Sequence, residues 1–223
     1  RPDVIFANTY DANFSIYRNM NTVTNCTPSP SGITAWWPGE GNGNDIINGN
    51  TAIPGSNVTF SAGEVGQAFQ LTDPDSGFMH AVASPSLDVG TGGGLTMEGW
   101  IKVSSVAGLH PIAEWHGDTR EKTGVQFWLN SNPYQSGALL FALPDTNSNQ
   151  QNLVTPSDIL LPNVWQHVAA TYDRSSGVAT IYVNGAVVAQ STMSSFVPQT
   201  SYDLWFSHRP LDVPGDWTYG ATL

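Results

Sequence analysis

The chain of 223 residues has one cysteine, Cys26, so it cannot form an internal disulfide, and no Cys/His cluster in it has the spacing of a zinc site. Charge is scarce too: charged residues make up 11%, with seven basic against eighteen acidic and a formal net charge of -11. A surface of that sign repels a phosphate backbone, which argues against nucleic acid as a partner. No apolar run approaches the ~20 residues that a membrane helix requires, and Arg1-Pro2-Asp3 does not begin a signal peptide. The chain reads as a mature or excised piece of a secreted, extracellular protein, with a cytosolic protein as the alternative. Nothing sustains a 3.6-residue period, so no long helix is expected. Glycine-rich GTGGG at 90–94 precedes a strand rather than a helix, so it lacks the ring of amides that a phosphate needs. A nucleophile elbow and a Ser-His-Asp spacing are also missing, and His80, His110, His116, His167 and His208 are scattered without H-x-H or H-E-x-x-H spacing.

What the sequence does have is turn chemistry and short apolar runs. Twenty-two glycines and 15 prolines punctuate a chain that is 40% hydrophobic, the composition of a β-rich protein with a single core. Pro28-Ser-Pro-Ser-Gly32 marks a boundary: residues 1–30 read as an N-terminal extension or linker holding one hairpin, Val4–Ala7 and Phe14–Tyr17, and residues 31–223 as the main domain. There, runs of β-branched and aromatic residues recur between Gly, Pro, Asn and Asp clusters. They place strands at 33–37, 66–71, 77–82, 95–103, 109–115, 124–130, 137–143, 165–173, 178–184, 186–190 and 202–208. Eleven strands so spaced make an all-β, two-sheet antiparallel sandwich or jelly roll. Asp173–Gly177 and Asn184-Gly185 read as two hairpin turns, the second of type I′.

Side chains alternate across a strand, so each run splits by parity into two faces. Leu95, Met97, Ile101 and Val103 oppose Thr96, Glu98, Trp100 and Lys102. Val125, Phe127 and Leu129 oppose Gln126, Trp128 and Asn130. Between them His110, Ile112, Glu114 and His116 share a parity. If these three strands are neighbours in one sheet, Glu98, Trp100, Glu114, His116, Gln126 and Trp128 line one polar and aromatic surface.

Six stretches carry a resemblance: AWWPGEGNGNDIINGN at 35–50, GEVGQAFQL at 63–71, LTMEGWIK at 95–102, PIAEWHGD at 111–118, WQHVAATYDRSSGVATIYVNGAVV at 165–188 and TSYDLWFSHRP at 200–210. Together they resemble the laminin G-like, concanavalin A-like jelly-roll domains of large secreted bacterial proteins. The resemblance implies two curved antiparallel sheets, a structural calcium ion (Ca2+) with Asp45 among its ligands, and binding of a carbohydrate or of another extracellular protein. The family pattern continues past the GATL of this chain into an acidic final strand. The resemblance therefore implies a missing strand, which a partner chain could donate.

The leading reading is a lectin-like module that holds a glycan through Trp100, Trp115, His116, Gln126 and Trp128, with Arg120 in the adjoining loop. Flat aromatic faces beside amide and carboxylate groups suit sugar rings. A polysaccharide-cleaving enzyme is the alternative, with Glu98 and Glu114 as a carboxylate pair, since retaining glycosidases hold theirs about 5–5.5 Å apart. A purely structural adhesion or spacer domain is the third.

Overall fold

A computed structural model describes residues 4–7, 30–71, 77–130, 136–210 and 221–222. The expected strand at Phe14–Tyr17 lies outside them, as does Cys26. Among the described residues the chain forms sixteen strands and no α-helix: β1 (Val4–Ala7), β2 (Ile33–Trp36), β3 (Ala52–Pro54), β4 (Thr59–Ala62), β5 (Gln67–Leu71), β6 (Met79–Ala81), β7 (Gly94–Val103), β8 (His110–His116), β9 (Thr123–Leu129), β10 (Leu139–Pro144), β11 (Gln150–Val154), β12 (Gln166–Asp173), β13 (Val178–Val183), β14 (Ala186–Thr192), β15 (Asp203–Phe206) and β16 (Ala221–Thr222). All eleven strands expected after residue 30 form, within a few residues of their bounds. Four more strands were not expected: β16 has only two residues, and β3, β4 and β11 are short or rich in Pro, Ser, Gln and Asn, residues that carry little strand signal.

Two antiparallel sheets result. Sheet one runs β14-β13-β12-β7-β16-β5-β4, with β1 also paired to β7 and to β2; sheet two runs β11-β10-β9-β8-β15-β6-β3. The extension before residue 30 thus contributes β1 to the main sheet. Leu95, Met97, Ile101, Val168, Ala170, Tyr172 and Ile181 of sheet one meet Trp115, Val125, Phe127, Phe141, Leu204 and Phe206 of sheet two in one buried cluster. Trp37 closes it, with its ring edge-on to Phe206 at 5.1 Å and its Nε1 donating to the Asn50 carbonyl at 2.7 Å. Burying such side chains stabilises by roughly 1.5–3 kcal/mol each, so this layer fixes which parity of every strand points in.

The two hairpin turns form as the sequence predicts. Asn184 and Gly185 both have positive φ, 49° and 79°, as a type I′ turn requires. In the Asp173–Gly177 loop the Asp173 carboxylate accepts from the Ser175 amide at 2.8 Å, and Gly177 has φ +70° with the Met193 carbonyl only 2.2 Å from where a Cβ would sit. Gly177→Ala combines backbone strain with that clash. We expect it to lower unfolding free energy by more than about 1 kcal/mol, read as a lower urea midpoint at unchanged m-value.

Candidate functional site

Chemistry-bearing side chains gather on the outer face of sheet two. Glu114 of β8 stands opposite Gln126 of β9 and Trp205 of β15. Its side chain is completely buried. Arg209 clamps it: Nη2 donates to Oε2 at 2.9 Å, and Nε donates at 3.1 Å to Oε1 and 3.3 Å to Oε2. Trp128 Nε1 donates to the same carboxylate at 3.0 Å. The guanidinium in turn lies 4.3 Å from the Trp128 ring centroid, a cation–π contact. Burial pushes the Glu114 carboxyl up; Arg209, His116 and the Trp128 N–H draw it back without cancelling the effect, so it stays above the ordinary carboxylate range.

Arg209 reaches this position because the chain turns sharply after β15. Ser207 adopts φ +58°, a left-handed conformation that costs a non-glycine residue of order 1–2 kcal/mol, and its amide donates to the Ile112 carbonyl. His208 and Arg209 then lie beside the outer face rather than continuing the strand.

Next to Arg209 is a band of partly exposed rings. His80 of β6 stacks on Trp205 with centroids 4.0 Å apart and planes 12° apart. His208 stacks on Phe78 at 4.7 Å and 20°, and Phe78 tilts against Trp205 at 5.4 Å. His80 Nε2 donates to Asp203 Oδ2 at 2.8 Å, while the Ala83 amide donates to the other oxygen. Among the described residues, Trp205 Nε1 is a buried donor with no hydrogen-bond partner. This platform of rings, one carboxylate and one fixed guanidinium suits a flat, hydroxyl-bearing ligand.

The sequence-derived residues separate. Glu114, His116, Gln126 and Trp128 do share one outer face. Glu98 and Trp100 do not join them, because β7 belongs to sheet one and they point outward on the opposite side of the sandwich. Stacked sheets lie about 10 Å apart, so carboxylates on the two outer faces cannot flank one glycosidic bond as a 5–5.5 Å pair. Trp115 is wholly buried in the layer between the sheets, so it packs the core and presents no ring to a ligand. His110 leaves the parity of Glu114: β8 bulges between Pro111 and Ala113, which puts His110 opposite the core residue Leu129. Arg120 is exposed in the turn between β8 and β9.

Asp45 is buried, and its carboxylate is saturated with N–H donors. Oδ1 accepts from the amides of Trp36 and Ile47 at 2.9 Å each, and Oδ2 from the amides of Asn48 and Asn50 and from Asn50 Nδ2 at 2.7 Å. Five donors aimed at two oxygens make a loop anchor. A hard cation requires oxygens in that shell, so these residues do not fit a calcium site at Asp45. Among the described residues no group of three or more His, Cys, Asp or Glu gathers elsewhere.

Glu98 has a different environment. Burial lifts its carboxyl to about 7 and lowers His167 to about 4. The two approach only to 4.0 Å, and the ring of His167 meets Trp100 edge-on at 5.3 Å. Between those values both groups are uncharged, so the contact is not an ion pair over that range.

Sequence reasoning missed Arg209, Trp205, His80, Phe78 and His208 as site residues. The alternation of Asp203 and Trp205 was a usable signal. That β15 lies between β6 and β8 was not readable from spacing.

Two antiparallel sheets closed over one apolar layer define a jelly-roll sandwich. The chain belongs to the concanavalin A-like lectin/glucanases superfamily, through the family Laminin_G_3, whose description matches residues 75–220. No curated protein matches. Among solved structures, the binding domain of Paraclostridial Mosquitocidal Protein 1 is similar with a TM-score of 0.62 at 14% identity, covering 80% of this chain and 44% of that one. The botulinum neurotoxin serotype C1 binding domain is similar with a TM-score of 0.56 at 15% identity, over 80% and 43%. Domain 4 of AbnA, an extracellular GH43 arabinanase from Geobacillus stearothermophilus solved with arabinotriose, has a TM-score of 0.55 at 12% identity, over 81% and 85%. The chain spans less than half the length of the first two. These likenesses establish the fold.

Two stability measurements check this electrostatic picture. Removing one partner of a buried pair leaves the other uncompensated, so Arg209→Ala should cost about 3 kcal/mol at neutral pH. A raised carboxyl binds extra protons in the folded state, so its stability is lost as pH rises from the ordinary value of 4.5. The deficit of Arg209→Ala therefore shrinks toward pH 4, as urea unfolding at several pH values would show. At the Glu98–His167 contact the two shifts act oppositely. Glu98 lowers stability as pH rises from 4.5 to about 7, while His167 raises it from about 4 to 6.5. Glu98→Gln should gain on the wild type across the first window by up to ~1.4 kcal/mol per pH unit, and His167→Gln should fall behind it across the second.

Proposed function

We propose that the chain is a non-enzymatic, glycan-recognising module of a larger extracellular protein, and that it contacts sugar through the band formed by Phe78, His80, Asp203, Trp205, His208 and Arg209. The observation that carries this reading is the partly exposed ring platform set beside a guanidinium that is held rigidly by a buried carboxylate. Beside the platform on the same face, Trp128 lies against Arg209, His116 stands opposite Asp203 and Gln126 opposite Glu114. Arabinotriose in the arabinanase domain and the two ganglioside molecules named for botulinum neurotoxin type C agree with a carbohydrate as ligand class. Calcium has no part in the reading, because Asp45 is committed to amides.

A neutral glycan fits better than an anionic one. The charge of Arg209 is compensated by Glu114, and a net charge of -11 repels an anion at long range. A catalytic role loses its main support with the separation of Glu98 from Glu114.

A glycan array followed by calorimetry tests the proposal. Neutral oligosaccharides should bind and sialylated ones should not. Trp205→Ala should weaken binding roughly tenfold, about 1.4 kcal/mol and the size of a stacking contact, while Trp100→Ala on the opposite face leaves it unchanged. An array with no positive glycan, or a Trp205→Ala variant with undiminished affinity, would overturn the reading.

A further inference from the structure

The ring platform of sheet two has chemically different ends. At one end lies Arg209, held by Glu114 and resting over the Trp128 ring. At the other, β3 is the last strand of the sheet among the described residues. Register fixes which side chains stand there. Ile53 of β3 is opposite His80 of β6, and His80 is opposite Trp205 of β15. Directly opposed residues share a face, and the flanking Ala52, Met79, Ala81, Leu204 and Phe206 are buried between the sheets, so Ile53 projects outward with His80 and Trp205. Val82 keeps the parity of His80. Continuing the β6–β15 register by one residue from Ala81 and Leu204 places it opposite Asp203.

Both aliphatic side chains are open to solvent, Ile53 at 52% and Val82 at 56%. A single exposed aliphatic is ordinary on a protein surface, but these two adjoin the partly exposed rings of Phe78, His80 and Trp205 and lengthen one apolar surface toward the sheet edge. The polar groups beside them are engaged. Asp203 Oδ2 is bonded to His80 Nε2, and its Oδ1 accepts from the Ala83 amide, each at 2.8 Å. Polar recognition is thus concentrated toward Arg209 and aliphatic contact toward β3. Two strand spacings, about 10 Å, separate Ile53 from Trp205, which leaves room for a sugar ring at Trp205 and a short run of carbons beyond it.

Resting on the glycan reading above, we infer that the ligand is an alkyl glycoside, a sugar whose anomeric oxygen carries an aliphatic chain, and that Ile53 and Val82 form the subsite for that chain. The sugar lies over Trp205 and His80 with its hydroxyls toward Arg209. The aliphatic chain crosses Ile53 and Val82 and leaves over the β3 edge. Burying these side chains adds affinity through removal of apolar surface from water, which a free sugar cannot do at this end of the platform.

Calorimetry on the full chain with matched methyl and hexyl glycosides of glucose, galactose, mannose and arabinose tests this. Each buried methylene is worth roughly fourfold in affinity, so at least one hexyl glycoside should bind about tenfold more tightly than its methyl counterpart. The double variant Ile53→Thr, Val82→Thr keeps a β-branched side chain at both exposed positions, which preserves the local strand preference, and should abolish that difference. Trp205→Ala should weaken both members of the pair. Equal affinity within every pair, a preference unchanged in the double variant, or hexan-1-ol binding as tightly as the hexyl glycosides would sink the alkyl subsite and leave the glycan reading standing. No binding by any of the eight glycosides, together with a blank glycan array, would remove both.

Discussion

The apolar layer between the sheets decides what every other residue is free to do. Trp115, Phe127, Phe141 and Phe206 on one side and Met97, Tyr172 and Ile181 on the other form a single cluster. Packing at interior density tolerates few voids, so each strand must turn its apolar parity inward. The remaining parity is then available for recognition. This explains why Trp115 and Trp128, thirteen residues apart on adjacent strands, play unrelated parts: one fills the layer and the other carries a cation on the outer face.

Three carboxylates are buried, and each has a different set of partners. Asp45 is held by five N–H donors and organises a loop. Burial raises Glu98 to about 7, so it spends much of the acidic range as a neutral acid. Glu114 recruits Arg209 and the Trp128 N–H. A buried ion pair contributes little net stability compared with apolar packing. What the Glu114 pair does provide is position: a long, flexible arginine is fixed by a bidentate contact at the edge of the ring platform.

Much of this architecture was legible in the sequence, because its determinants are local. Alternation over 95–103, 124–130 and 166–173, and the turns at Gly177 and Asn184-Gly185, specify strands and hairpins from neighbouring residues alone. The site was less legible, for two physical reasons. Sequence adjacency of strands 94–103 and 110–116 suggested one sheet, but jelly-roll connections cross between sheets, so Glu98 and Glu114 point away from each other. A bulge around Ile112 then broke the parity that linked His110 to Glu114, and a bulge is one extra residue with no signature in a composition this mixed.

The distribution of polar environments also selects one outer face over the other. On sheet one, Glu98, His167 and Trp100 form a contact whose titrating groups are both neutral over part of the acidic range, and Lys102 lies over Trp165 at 5.0 Å. Among the described residues, nothing there joins an open ring stack to a rigid donor. On sheet two, the ring stack of Trp205 with His80 and the clamped Arg209 arise from one short segment, residues 203–209, in which a strand ends at a strained Ser207. A backbone held in the left-handed region persists only when its surroundings over-determine it. Here the surroundings include the Ile112 carbonyl that accepts the Ser207 amide, so the bulged part of β8 that hid the site from sequence reasoning also holds the turn that builds it.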